Sequence, residues 1–451
     1  MRLALPALVT FLKQLLNVHR GEVAPVLVSA VFFFCILTAL MVLRPAREAL
    51  GMQRGIEALR WLFIGTAVVT LLVNPVFGLL VSRFRRLQFI TVTYGFFALS
   101  LLGFYALMVF APEAVGITSG QVFYVWFSVF NLFITMLFWA LMADRFSLSQ
   151  GKRFFPVIAV GGTLGAIFGP WLSSMLARPL GTATLLLVSI GFLLLAVAAA
   201  WTVALMQPER CDPDDPGAPP AVSEHAIIGG SAWQGFRAVL HSRYLLGIAT
   251  YAVMLAVIAT FIYFTRLQMV AELGDDLDLR TTWFARIDLI TQTATLLLQA
   301  LVTGHLMRRL GVPLTLALLP ITVALGFIGL ALVASLAALI TFEASFRAVQ
   351  RAIMRPARET LYTVVSREDK YKAKAFIDTF VYRGGDVIGA QTEALLGRLG
   401  MGLAALASVA VPLAIAWAAL GIWLGRMQQR LAGKSSEPSV PTALEPMEQA
   451  R

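Results

Sequence analysis

The sequence predicts an all-α membrane protein of about twelve transmembrane helices in two six-helix halves. Three observations carry this. Of the 451 residues, 59% are hydrophobic and only 14% charged, with a mean hydropathy of +0.79, whereas soluble proteins carry about 25% charged residues. Lipid supplies no water to satisfy open strands or loops, so the spanning elements have to be helices. Basic residues cluster after alternate hydrophobic runs, as loops on the cytoplasmic side do. The formal net charge of +11 is therefore read as loop charge, and no nucleic-acid partner is expected. Cys35 lies in an apolar run and Cys211 in a polar linker, so neither a disulfide framework nor a metal site is expected. The histidines show no ligand spacing and there is no nucleophile–base set, which points away from an enzyme and from any cofactor.

Residues 1–23 read as a cytoplasmic amphipathic N-terminus, because the apolar segment before Asn17 carries Lys13 and lacks a small-residue cleavage site. A span needs about 20 mostly apolar residues. The first half, 24–206, holds six, near 24–50, 58–81, 88–111, 119–143, 154–177 and 183–206. Residues 207–243 form a cytoplasmic linker: Pro213, Pro216, Pro219 and Pro220 keep its first part from burying a face, and Ser231–Arg243 is an amphipathic lead-in. The second half, 244–427, holds spans near 244–270, 281–304, 313–336, 338–366, 372–397 and 402–427. The tail 428–451, with Lys434, Pro438 and Pro441, is expected to be disordered.

Orientation follows from the loops. Arg83, Arg85 and Arg86 follow the second span, Arg145, Lys152 and Arg153 the fourth, Arg308 and Arg309 the eighth, and Arg367, Lys370, Lys372 and Lys374 the tenth. The acidic stretch Glu272, Asp275, Asp276 and Asp278 falls on the other side. This predicts a multi-pass protein of the cell inner membrane with both termini cytoplasmic.

One charged word occurs twice. Arg44-Pro45-Ala46-Arg47-Glu48 closes the first span, and Arg355-Pro356-Ala357-Arg358-Glu359 repeats it in the tenth. A charge at the bilayer centre costs about 2.5–3.5 kcal/mol or more, so each copy marks a candidate functional site. The alternative is that the arginines snorkel from helix ends to the headgroups. In the tenth segment Arg347, Arg351, Arg355 and Arg358 fall within roughly 80° on the helix surface and run about 16 Å along its axis. Such a stripe either lies against lipid phosphates or faces a wet cavity. The cavity reading keeps the loop at 367–374 cytoplasmic. Pro45 and Pro356 each remove a helix hydrogen bond and should kink their helices. Glu48 and Glu359, four residues after Arg44 and Arg355, are candidate resting partners that an arriving anion displaces.

The glycine-to-basic turns Gly78–Arg86 and Gly304–Gly311 occupy matching places in the two halves. They resemble, in part, the loop motif of the major facilitator superfamily, in which spans one, four, seven and ten line a central cavity. A narrower resemblance is carried by Leu43–Leu50, Phe138–Asp144, Gly151–Phe155 and Arg355–Gly389, especially Tyr371–Asp378 and Tyr382–Asp386. These residues resemble the ATP/ADP (nucleotide) translocases of plastids and intracellular bacteria and their free-living bacterial relatives. The resemblance implies nucleotide exchange by alternating access, with Arg47 and Arg358 standing where the exchangers place lysines and Glu48 and Glu359 where they place acids. It also implies acids in spans four and seven, where this chain has Val125–Val129 after Phe123-Tyr124, and Phe261-Ile262-Tyr263.

Several further residues are candidates. Asp288, with Arg286 and Gln292 nearby, is either part of a polar network between helices or a proton-coupling site. Arg83, Asp144, Lys152, Arg153, Arg308 and Lys374 are expected to gate the cytoplasmic end through ion pairs. Arg383 is a further anion ligand with Asp386 as its resting partner. Gly161, Gly162, Gly165 and Gly169, spaced by three and four, are expected to let helices approach closely.

The expectation is thus a secondary transporter, an antiporter of nucleotides or other phosphorylated organic anions. Substrate binding is placed on Arg44, Arg47, Arg351, Arg355, Arg358 and Arg383. The partners expected are a small-molecule anion, a nucleotide above all, and membrane lipid. Two alternatives stay open: a proton-coupled carrier of a non-nucleotide organic anion, and a non-transport membrane protein binding anionic lipid.

Overall fold

A computed structural model of the chain describes residues 22–83, 86–146, 148–206, 232–301, 303–365, 373–374, 376–399 and 402–436. The expected N-terminal amphipathic segment, the Pro-rich part of the linker and the end of the tail lie outside the described residues.

Every element is helical among the described residues. The first six spans are Val23–Gly51, Ile56–Arg83, Arg86–Phe110, Glu113–Arg145, Leu148–Leu180 and Thr184–Leu205. The lead-in forms a short helix, Ala232–His241, before the seventh span, Arg243–Ala271. The eighth is Leu277–Leu301, the ninth belongs to Thr303–Leu332, and the twelfth is Leu403–Ser436. Within Thr303–Leu332 the chain turns at Gly311, whose φ of 67° only glycine adopts without strain. That turn separates a short helical segment from the ninth span proper.

The tenth and eleventh spans are not regular. The tenth runs as α-helix over Leu336–Val349, one π-turn over Gln350–Met354, α-helix over Arg355–Thr360 and a 3₁₀ turn over Leu361–Val364. The π-turn sits just before Pro356, which has no N–H to return to the Ala352 carbonyl. A second π-turn, Ile377–Val381, opens the eleventh span, which continues over Tyr382–Arg398. Pro45 behaves differently, because the first span runs unbroken through it as α-helix.

By length and composition, nine described helices are apolar enough to cross a membrane. The eighth, tenth and eleventh are not among them. These three carry Asp288, Glu343, Arg347, Arg383, Asp386 and Glu393.

Packing forms two bundles. One apolar core draws on Val26 to Val203 and a second on Val239 to Leu424. A smaller cluster, including Ala49, Tyr124, Phe264 and Phe284, joins them. In the first bundle the first span packs on the fifth, and glycine makes that approach possible. A β-carbon on Gly161 would lie 2.2 Å from the Ala30 carbonyl oxygen, and one on Gly165 2.4 Å from that of Phe34. The eighth span packs against both the first and the fifth, which ties the bundles together.

Candidate functional site

The charged residues of the interior sort into a hub, a cavity and a latch. At the centre of the hub stands Arg266 of the seventh span, fully buried with 0% of its side chain exposed. Its Nη1 lies 3.1 Å from Asp288 Oδ1 and 3.3 Å from Glu343 Oε1, and its Nη2 lies 4.0 Å from Glu48 Oε1. One cation thus holds carboxylates from the first, eighth and tenth spans. A buried charge survives only when paired, and here each acid has a second cation as well. Arg44 approaches Asp288 at 3.5 Å, Arg347 donates to Glu343 at 2.8 Å, and Arg47 donates to Glu48 at 2.9 Å. Tyr263 donates its hydroxyl proton to Glu48 and touches the Tyr124 hydroxyl at 2.8 Å. Arg47 also stacks over the Tyr124 ring at 3.7 Å and donates to the Tyr124 carbonyl.

The cavity lies farther along the tenth span, toward its basic end. It has a volume of about 390 Å³ and is lined by Arg351, Arg355, Arg358 and Arg383, with Asp378, Gln350, Tyr382, Leu255 and Met354. Both π-turns contribute to its wall, the first through Gln350, Arg351 and Met354 and the second through Asp378. Such turns recur at functional sites because they reposition side chains that a regular helix would space evenly. Arg358 pairs with Asp378 at 3.1 Å, and Arg383 with Asp386 at 3.0 Å. Arg351 donates to the Gln292 side chain and stands within electrostatic reach of Arg44, Arg347 and Arg355. It is the link between cavity and hub. Arg355 is exposed and has no ion-pair partner among the described residues.

The latch lies at the end of the bundles opposite the basic loops. Arg60 of the second span reaches Glu393 of the eleventh at 2.6 Å, and Gln268 of the seventh donates to the same carboxylate at 2.6 Å. Glu57 pairs with Arg60 and, at 2.7 Å, with Arg398. Nearby, the Thr182 N–H and hydroxyl both donate to Asp278 at 2.7 Å, joining the start of the sixth span to the eighth.

These contacts rearrange the sequence-based picture. Arg351, Arg355, Arg358 and Arg383 share one cavity. Arg44 and Arg47 do not line it and are spent in the hub. The pairing expected within each charged word is not the one formed. Arg44 turns to Asp288 across the interface, which leaves Glu48 to Arg47, Arg266 and Tyr263. Glu359 pairs with Lys374 at 2.6 Å rather than with Arg355, although both residues lie on the α-helical stretch Arg355–Thr360, because Lys374 supplies a competing cation and Arg355 lines the cavity. Asp386 pairs with Arg383 as the spacing indicated. Arg153 pairs with Glu22 at 3.3 Å at the start of the first span. Asp144 is exposed at the end of the fourth span. The side chains of Arg83, Lys152 and Arg308 lie outside the described residues. Arg266, Glu343, Asp378 and the Arg60–Glu393 pair escaped sequence reasoning as site residues.

Comparison with known proteins places this geometry in context. Residues 26–354 match the sequence profile of the Major Facilitator Superfamily. Among solved structures, the fold is similar to a mutant of the nucleoside transporter NupG, with a TM-score of 0.59 and 12% identity, covering 90% of this chain and 99% of that one. It is also similar to an auto-inhibited POT family peptide transporter, with a TM-score of 0.57 and 13% identity over 91% of this chain and 97% of that one. A D-xylose-proton symporter matches with a TM-score of 0.57 and 13% identity over 90% of this chain and 97% of that one. At these identities the likeness is one of fold. A search of curated sequences finds no match.

Proposed function

Since the chain belongs to the Major Facilitator Superfamily, it is an all-helical secondary transporter, and we propose that it exchanges nucleotides or other phosphorylated organic anions by alternating access. The observation that carries this is the cavity of about 390 Å³ in which, among the described residues, four arginines face a single aspartate. Pockets of about 300–1,000 Å³ suit small organic ligands. The planar guanidinium fork matches phosphate and carboxylate oxygens in bidentate geometry. The resemblance of Leu43–Leu50 and Arg355–Gly389 to the nucleotide translocases favours phosphorylated substrates among such anions.

The mechanism follows from desolvation. Closing the bundles over an empty cavity strips water from Arg351, Arg355 and Arg383 without enough negative charge to compensate. A bound polyanion supplies that charge and lowers the cost of closure, so the loaded protein changes conformation and the empty one resists. Obligatory exchange is the result. With the basic loops on the cytoplasmic side, the cavity faces the cytoplasm and the Arg60–Glu393 latch holds the outer side shut.

A proton-coupled carrier using Asp288 is disfavoured by where that residue sits. Its carboxylate lies between Arg266 and Arg44, as a structural tie between the eighth, seventh and first spans. The lipid-binding alternative is disfavoured because three of the four stripe arginines line a cavity between helices.

The test is uptake of labelled ADP and ATP into proteoliposomes. Exchange predicts uptake only when unlabelled counter-substrate is inside, and equal uptake into empty vesicles overturns it. Arg355→Gln or Arg358→Gln should weaken anion binding about tenfold or more, and unchanged binding contradicts the site.

A further inference from the structure

We infer that Asp378 is a resident counter-anion that sets how much negative charge the transported anion carries. The inference rests on the anion-binding reading above. Among the described residues, Asp378 is the sole acid lining the cavity. Its Oδ1 lies 3.1 Å from Arg358 Nη2, and its side chain is 35% exposed where that of Arg358 is 11% exposed. The carboxylate therefore stands at the mouth of the site and occupies one arm of a guanidinium deeper in the wall.

The other arm is unused. Arg358 Nε is buried and has no hydrogen-bond partner among the described residues. Guanidiniums take oxyanions through two parallel N–H donors, and Asp378 pairs with Arg358 through Nη2 alone. The second π-turn presents it there, because Ile377–Val381 breaks the regular spacing just where Asp378 meets the cavity.

Electrostatics gives Asp378 its role. Arg351, Arg355, Arg358 and Arg383 attract any anion, and the Asp378 carboxylate subtracts from that attraction. The subtraction grows with each charge on the ligand, because like-charge repulsion scales with the product of the charges. A fixed carboxylate in the wall thus penalises a highly charged ligand more than a modestly charged one. Asp386, turned toward Arg383 of its own span and Thr260 of the seventh, is not among the described lining residues.

The experiment measures binding of orthophosphate, pyrophosphate and tripolyphosphate to the full-length purified protein by titration calorimetry. The variants are Asp378→Asn, Asp378→Glu and Arg358→Gln. In Asp378→Asn the affinity for tripolyphosphate should rise on the order of tenfold, that for pyrophosphate less, and that for orthophosphate least. Asp378→Glu, which keeps the charge, should retain the wild-type ordering and spacing. A uniform shift across the three probes, no change, or weaker binding in a folded Asp378→Asn protein overturns the proposal. Should that variant not fold, Asp378→Ser is held to the same outcome. The two readings fail separately. Unchanged binding in Arg358→Gln sinks the anion site itself, whereas loss in Arg358→Gln with no steeper charge dependence in Asp378→Asn sinks only the role of Asp378.

Discussion

Arg60 and Glu393 meet at 2.6 Å although they belong to different bundles, and both side chains are almost wholly buried. Their contact closes the end of the molecule away from the arginine cavity. Glu393→Gln removes the charge while keeping the shape, so it should weaken closure at that end without disturbing the cavity. Spin labels at Arg54 and Leu399, both exposed there, should show a longer distance component in the variant. An unchanged distance distribution means that the pair does not hold this end shut.

Arg266 is the shared cation of Glu48, Asp288 and Glu343. Arg266→Leu leaves those acids with only their peripheral arginines and should cost about 3–5 kcal/mol, the usual consequence of orphaning a buried charge. The expected readout is a fall in Tm of several degrees and aggregation on purification. Arg266→Leu combined with Glu343→Gln should recover part of the loss. A single variant as stable as the parent would show that the acids find other partners.

Arg47 provides the contrast with the cavity. It is committed to Glu48, to the Tyr124 carbonyl and to the Tyr124 ring. Arg47→Gln should therefore lower Tm and leave the affinity for pyrophosphate within about threefold, whereas Arg355→Gln should lower that affinity tenfold or more at nearly unchanged Tm. Calorimetry and thermal unfolding on the same samples separate the two effects. The reverse pattern would move the binding site to the first span.

Gly165 and Gly95 test the close approach of the first and fifth spans. A methyl group on Gly165 meets the Phe34 backbone at 2.4 Å, whereas one on Gly95 has nothing within 4 Å. Gly165→Ala should force the helices apart and lower Tm, while Gly95→Ala should be neutral or slightly stabilising. Equal behaviour of the two variants would contradict the packing described.

Much of this architecture was legible from the chain alone. Span positions followed from apolar length, and the glycines of the fifth span were readable because their spacing places them on one helix face. The charged tenth span was recovered from loop charges after hydropathy would have discarded it. What stayed hidden has a common cause. Arg266 draws its partners from three other helices, and no spacing within one helix reveals that. The available signal was that four spans carry complementary charges within a few turns of the same membrane face: Glu48, Arg266, Asp288 and Glu343. Spacing within one helix also fails to give the partner where a cation from elsewhere in the chain competes. The spacing of Arg355 and Glu359 promises contact on a regular helix, but Lys374 takes the Glu359 carboxylate while Arg355 lines the cavity. A π-turn has no sequence signature of its own, so the phase of the stripe beyond Val349 was beyond sequence reasoning.

The eighth, tenth and eleventh helices have a bearing on how the protein is made. None of the three is as apolar as the nine described spans, and each adjoins a strongly apolar neighbour: the seventh, the ninth and the twelfth. A nascent polar segment emerging from the ribosome has no counter-charge until its partners on other helices arrive. Biogenesis of the C-terminal half must then be a concerted event, in which greasy helices anchor reluctant ones until the ion pairs form. Truncation after the tenth helix should strand that segment outside the bilayer, even though the same residues sit within the bundle of the finished protein.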